Sequence, residues 1–338
     1  MKRSVSVKFI LTIAKSKEQN NRPLVESSLK TIFFFCLSSG FTQGGAVVSR
    51  KQNSQPKAIF FADIDAGNGP FICAMIGAVG SDDYGAFCLR DFERHGIDIS
   101  GMKTRQGETT SLSIVLSDRE TQGRSIVYRS GTANPPTLEE IEERILTGCQ
   151  WFFISHATHV AMESAKRAKK AGAKIIVDAD SYSSEMMENI GIIDVFIASE
   201  FFYKVLFRGK EEAFEANCRE VQKMGPSIVV FTLGAKGCIG YSEEDGFFQM
   251  PSFAVDVQDT VGAGDVFHGA YTVGLLRGLS SKEAARLATG VSCIKCTRIG
   301  GRAGIPDWNT VQRFLRTGEI DYTEIDQRVE FYRRKLQV

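Results

Sequence analysis

Asp259-Thr-Val-Gly-Ala-Gly-Asp-Val-Phe-His-Gly-Ala-Tyr271 reads as a glycine-rich turn that feeds straight into a helix. Upstream, Phe253, Val255 and Val257 alternate with other residues, which predicts a strand over residues 253–257. Downstream, Val266, Phe267, Ala270 and Val273 are spaced for one buried helical face. A turn of this kind lets several backbone N–H groups converge on an anion, and the helix dipole adds positive partial charge there. Asp265 is the odd residue in such a place. A carboxylate repels phosphate, but it can take the proton of a hydroxyl that attacks phosphate. An anion nest beside a base is what phosphoryl transfer needs. On its own, a short motif of two glycines and an aspartate would better suit an ordinary capped helix start.

The whole stretch is longer than that, and it resembles the second signature of the ribokinase/PfkB family of carbohydrate kinases, Asp-Thr-x-Gly-Ala-Gly-Asp. Val266-Phe-His-Gly-Ala270 is similar to the branch that contains the sulfofructose kinases. The resemblance implies a ribokinase-like α/β fold, with a parallel-rich central sheet, helices on both faces and a small β lid. It implies transfer of the γ-phosphate of ATP to a hydroxyl of a ketose-like sugar, with sulfofructose or fructose as the candidates. Asp265 would be the catalytic base, and Gly262, Ala263 and Gly264 the anion hole.

Other positions carry the resemblance further. Thr232-Leu-Gly-Ala-Lys-Gly237 resembles the family's nucleotide segment, so Thr232, Gly234 and Gly237 are the expected ATP contacts. A plain hairpin turn would use the same glycines. Ile197-Ala-Ser-Glu200 stands where many relatives carry Asn-x-x-Glu, and Glu200 is the only carboxylate it offers to Mg²⁺. One carboxylate suits an ion that keeps several waters and leans on substrate phosphates. Lys295-Cys-Thr-Arg-Ile-Gly-Gly-Arg-Ala-Gly304 resembles the C-terminal segment near the adenine. In related kinases a monovalent cation, K⁺, binds between such a loop and the Asp-Thr-x element. Here the carbonyls of Asp259, Val261, Gly300 and Gly304 would hold it. Arg298 and Arg302 are candidate phosphate contacts, though arginines after a helix often simply satisfy its last carbonyls. His268, one turn after Asp265, reads as a packed helix residue.

Length and composition suit one large α/β domain with or without a small appendage, and length alone would also permit two domains. The chain has 338 residues, 43% of them hydrophobic, and a formal net charge of +1. That balance points to neither nucleic acid nor an anionic membrane as a partner. Eight scattered cysteines in a chain this long read as reduced thiols and a cytoplasmic setting rather than a disulfide framework. Cys293-x-x-Cys296 has no second pair or histidine cluster nearby, so it does not read as zinc.

From residue 75 onward the pattern is regular. Helices are expected at residues 85–95, 160–171, 211–224 and 281–297, the last opened by the capping box Ser280-x-x-Glu283. Another box, Thr137-x-x-Glu140, predicts a helix to residue 146. Strands are expected at 151–155, 174–178, 195–198, 227–233 and 238–241. Their alternation with helices predicts a parallel sheet, whose ligands bind beyond the carboxyl ends of its strands. Asp178, Asp180, Thr232 and Asp265 fall near such ends. Residues 111–116 and 125–128 alternate around a polar turn and predict a hairpin, which the resemblance makes the lid and a surface for homodimer formation.

The chain divides into an atypical N-terminal region (residues 1–74), a kinase core (75–310) with the lid strands near 111–128, and a charged helical tail (311–338). The N-terminal region departs from the family. Phe41-Thr-Gln-Gly-Gly45 looks like the start of its first glycine motif, making Gly44 and Gly45 candidate sugar contacts. No alanine-rich helix follows, and residues 1–40 contain no aspartate to grip sugar hydroxyls. A catalytically impaired nucleotide-binding protein is therefore the rival reading. Unreadable sequence between two readable anchors is also what compensating frameshifts leave. The apolar runs at 5–14 and 31–37 are broken by lysines or too short, so neither export nor a membrane span is expected.

Overall fold

The computed structural model describes residues 10–11, 33–34, 45–50, 71–117 and 124–335. Gly44, the apolar run at 31–37 apart from its strand pair, most of the run at 5–14 and the lid turn at 118–123 lie outside these. In chain order the strands are β1 (Ile10–Leu11), β2 (Phe33–Phe34), β3 (Gly45–Arg50), β4 (Phe71–Gly80), β5 (Asp98–Arg105), β6 (Leu112–Ser117), β7 (Arg124–Arg129), β8 (Trp151–Ile154), β9 (Lys174–Ala179), β10 (Val195–Ser199), β11 (Ile228–Thr232), β12 (Cys238–Ser242) and β13 (Gly246–Met250). The helices are α1 (Asp83–Arg94), α2 (Glu143–Thr147), α3 (His159–Lys170), α4 (Ser184–Glu188), α5 (Glu200–Leu206), α6 (Phe214–Gln222), α7 (Ala263–Leu276), α8 (Ser281–Cys296), α9 (Trp308–Thr317) and α10 (Thr323–Lys335).

One sheet runs in the order β13-β12-β11-β10-β9-β8-β3-β4-β5. Strands β8 to β11 are mutually parallel, as are β4 and β5. β12 and β3 run against their neighbours. The central strands β8 to β11 are buried on both faces, which explains their continuous apolar runs. In β10, Val195 and Ile197 join the core beneath α7, α8 and α9, while Phe196 and Ala198 join the core on the opposite face. Such alternation is the period-2 geometry of a strand. Phe196, Phe202 and Phe231 are wholly buried there, each worth about 1.5–3 kcal/mol of burial.

Gly80-Ser-Asp-Asp-Tyr-Gly85 joins β4 to α1. Asp82 caps α1 by accepting the Gly85 N–H at 2.9 Å, and it also accepts the Thr110 N–H at 2.8 Å and hydroxyl at 2.6 Å. Burial pushes its carboxyl up, but the bonds from Thr110 and Gly85 outweigh this and hold it below the usual range. Gly85 has no room for a side chain, since a Cβ would stand 2.1 Å from the Gly80 carbonyl oxygen. This hub fixes the root of the β6–β7 hairpin, whose strands pair antiparallel as expected.

Two expectations need correction. Residues 253–257 form no strand. Phe253 packs on Phe314 of α9, and Phe253, Val255 and Val257 line a cavity, so their alternation marks a cavity wall rather than a sheet face. The helix expected from residue 137 begins only at Glu143. Glu140 does accept the Thr137 N–H, but its carboxylate is drawn to Arg105 at 2.6 Å and 2.7 Å, so the turn is used to tie β5 instead. The tail past residue 311 is helical as expected, and it packs into the main core. Val311, Phe314 and Ile325 are buried with the residues of α7 and α8. Tyr332 donates to the buried Asp91 at 3.3 Å, and Asp91 is paired with Arg302.

Candidate active site

Gly262 opens α7 in the left-handed region, with φ at 75°, a conformation that suits glycine. Ala263 and Gly264 follow as the first helical residues, with Asp265 in the same turn. Ser292 of α8 donates to the Ala263 carbonyl at 2.9 Å and pins the turn to the neighbouring helix. A Cβ placed on Gly264 would meet no protein atom within 4 Å. The backbone here is bare toward open space, as an anion-binding turn requires.

Facing it is the turn after β11. Leu233 N–H donates to the Gly237 carbonyl at 2.7 Å and closes a short 3-10 turn, Gly234–Lys236. Gly237 has φ at 90°, and a Cβ there would stand 2.0 Å from the Met250 carbonyl oxygen, so only glycine fits. Gly234, with φ at 58°, faces more open space.

Between the two turns lies a cavity of about 250 Å³. Thr232, Gly234 and Gly237 line it on one side, and Ala263 and Gly264 on the other. Two segments separate in sequence, 232–237 and 263–264, thus share one space. Val255, Val257 and Phe267 make much of it apolar, which suits an aromatic base. Gly262 and Asp265 are not part of this wall. Asp265 follows Gly264 directly and is half-buried.

Glu200 opens α5 beneath the Gly234 turn. Its Oε2 lies 3.9 Å from where a Cβ on Gly234 would stand, and its Oε1 pairs with Lys204 at 2.6 Å. Ser199, which stands in place of the family asparagine, accepts the Phe202 N–H at 3.1 Å and donates to the Asp180 carbonyl at 2.8 Å. Among the described residues no cluster of three or more metal-ligating side chains occurs. A lone carboxylate beside the Gly234 turn is compatible with Mg²⁺, an ion that takes most of its shell from water and phosphate oxygens.

The set expected to hold a monovalent cation does not fit one. The carbonyl oxygens of Asp259 and Val261 do converge, but on the Nζ of Lys295, which lies 3.0 Å from the former and also donates to the latter. Gly300 enters through its N–H, donated to the Asp259 carboxylate at 2.8 Å. Gly304 packs its Cα against the Lys295 carbonyl, 2.5 Å from where a Cβ would stand. Arg298 and Arg302 are likewise engaged elsewhere than at phosphate. Arg298 pairs with Asp326 at 2.6 Å, and Arg302 pairs with the buried Asp91.

His268 is buried behind the turn, its Nδ1 2.7 Å from the Gly264 carbonyl and its Nε2 3.3 Å from Asp178. It therefore links the helix start to the carboxyl end of β9. At the same edge of the sheet, Gly45 stands opposite Ile154, the last residue of β8. Because β3 runs antiparallel, its glycine end lies at the carboxyl ends of the parallel strands.

Thr260, Ser252, Thr289, Ser292 and Cys293 also line the cavity and were not expected there. Thr260 sits inside the opening motif, so its place was available to reading. The α8 residues Thr289, Ser292 and Cys293 follow each other at helical spacing, but nothing marks that face as a cavity wall rather than core. Burial raises the Cys293 thiol, so it is a neutral lining group near neutral pH.

The profile described as pfkB family carbohydrate kinase matches residues 71–308. A ribokinase from Lactococcus lactis is 28% identical over 268 residues, covering 78% of this chain and 85% of its own. A 5-dehydro-2-deoxygluconokinase from Clostridium perfringens is 23% identical over 272 residues, covering 74% and 80%. Among solved structures, a candidate ribokinase II from E. coli in complex with ATP and Mg²⁺ superposes with a TM-score of 0.68 at 20% identity, covering 92% of this chain and 99% of that one.

Proposed function

Since the chain belongs to the pfkB family of carbohydrate kinases, we propose that it binds ATP in the cavity between the two glycine turns and transfers the γ-phosphate to a primary hydroxyl of a ketose-like sugar. The observation that carries this reading is the shared cavity, in which Thr232, Gly234 and Gly237 face Ala263 and Gly264. The sugar hydroxyl gives its proton to Asp265 as its oxygen attacks the terminal phosphorus. The new O–P bond forms as the bond to the bridging oxygen breaks, and ADP leaves. The N–H groups of the turn at Gly262, Ala263 and Gly264 receive the charge that spreads over the transferring oxygens. When bound, Mg²⁺ supplies neutralising charge to the phosphates, and Glu200 is the residue that would hold it. The β6–β7 hairpin would cover the sugar. Among its described residues Val127 and Tyr128 are exposed apolar side chains, and they offer a surface by which two copies would meet.

The kinase names of the relatives span ribose and a deoxygluconate, so the sugar is the finer part of the proposal. Sulfofructose and fructose are the candidates from the sequence around Asp265. A second reading, an impaired kinase that retains nucleotide binding, is favoured by one observation. β3, at the ligand edge between β8 and β4, is Gly-Ala-Val-Val-Ser-Arg and offers no carboxylate to sugar hydroxyls. Coupled ADP release over a panel of ketoses and aldoses, sulfofructose included, separates the two. Sugar-dependent turnover above ~1 s⁻¹ supports the working kinase. Nucleotide binding without turnover on any sugar supports the impaired one.

A further inference from the structure

We infer that Lys295 is a built-in cation of the phosphate-binding turn, and that this chain does without the monovalent metal ion its loop otherwise resembles a site for. Lys295 is wholly buried, at 0% exposure, on a helix whose neighbouring residues Val291 and Ile294 belong to the core. An ammonium is expensive to bury and is retained only where acceptors satisfy it. Here those acceptors are two backbone carbonyls, Asp259 at 3.0 Å and Val261. The Asp259 carboxylate, held by the Val261 N–H at 3.0 Å and the Gly300 N–H at 2.8 Å, adds negative charge to the same segment.

The two carbonyls are not arbitrary ones. The peptide unit of Asp259 carries the N–H of Thr260, and that of Val261 carries the N–H of Gly262. In a planar trans peptide the N–H points opposite to the C=O, and this chain has no cis bond among its described residues. Pulling both carbonyls toward Lys295 therefore turns both N–H groups away from it. It also polarises them, as an aligned dipole beside a cation must. Thr260 lines the cavity, and Gly262 opens the helix at which phosphate would sit. Lys295 is thus a positioning residue that acts through the backbone of the turn. A second cation between the same carbonyls would press against the ammonium.

The nucleotide arm of the test rests on the kinase reading; the stability arm does not. The full-length chain and its Lys295→Ala and Lys295→Met variants are melted, and titrated with a non-hydrolysable ATP analogue and Mg²⁺, in potassium chloride and in tetramethylammonium chloride at equal ionic strength. The wild type is expected to show the same melting temperature and affinity in both salts. Lys295→Ala, which leaves room for an ion, should bind the analogue at least ~10-fold more weakly without potassium and regain affinity and melting temperature as potassium is added. Lys295→Met, which fills the space without charge, should be weakened and not rescued. Potassium that stabilises the wild type or tightens its nucleotide binding overturns the inference, whether or not the variants fold. So does a folded Lys295→Ala variant with unchanged affinity in both salts. A wild type that binds no nucleotide in either salt refutes the kinase reading, while the melting temperatures still decide whether Lys295 replaces the ion.

Discussion

Gly264→Ala separates the fold of the turn from its use. A Cβ at this position meets no protein atom within 4 Å, and Gly264 lies inside α7 with no positive φ to strain. Replacing glycine by alanine in a helix should stabilise the protein by up to about 1 kcal/mol, since alanine loses less backbone freedom on folding. A phosphate oxygen, by contrast, must approach the N–H groups of this turn to ~2.9 Å. A methyl group on the bare face would push it outward by an ångström or so, and misplacement on that scale costs about 10²-fold in rate. A loss of that size corresponds to about 2.7 kcal/mol of transition-state stabilisation. Thermal melting together with calorimetric titration of MgATP and the rate of ADP release measures both sides. The expected result is a melting temperature equal to or above wild type with kcat/KM for ATP reduced about 10²-fold. An unchanged kcat/KM would refute the placing of phosphate at this turn. A large loss of stability would show that the space around Gly264 is used by the protein itself.

Two further outcomes follow from local geometry. Gly237→Ala should destabilise the protein by about 1–3 kcal/mol from its backbone conformation alone, and by more from the clash 2.0 Å from the Met250 carbonyl oxygen; a melting temperature equal to wild type would contradict the geometry of that turn. The Arg105 guanidinium, by hydrogen bonding to Glu140, holds its carboxyl down at about 2. A carboxyl lowered in the folded state contributes stability that is present above its ordinary value and is lost as pH falls toward about 2. Urea unfolding between pH 5 and pH 2.5 should therefore show a shallower acid loss for Glu140→Gln than for wild type, and equal slopes would show that the pair is too solvated to matter.

The parallel sheet was legible because its central strands are buried on both faces, so residues 195–198 and the neighbouring strands read as unbroken apolar runs. Its edges were not. β5 carries Asp98, Lys103 and Arg105, and β13 is interrupted by Gln249, because an edge strand faces water and guards against pairing with other chains. Residues 253–257 failed in the opposite sense. Alternation records that one side of a segment is apolar, and here that side faces a cavity and not a sheet. At the site, the glycine turns could be read because positive φ and close backbone approach leave a residue-type signature at Gly237 and Gly262. The expected ion ligands could not be tested in sequence, because carbonyl oxygens belong to every residue. Lys295 did leave a trace. It falls on the apolar face after Ala288 and Val291, where a lysine has to find a buried partner. The Asp91–Arg302–Tyr332 contact joins residues more than two hundred positions apart, and no local pattern announces it.

Asp265→Asn tests the chemistry most directly. Asparagine keeps the shape of the side chain and removes its basicity. Sugar-dependent ADP release is measured for wild type and variant at matched ATP saturation, with nucleotide affinity determined on the same samples. Proton transfer to Asp265 predicts a loss of at least ~10²-fold in turnover with nucleotide affinity held within a few-fold. Turnover equal to wild type would mean that Asp265 only favours the start of α7, and that the base lies elsewhere.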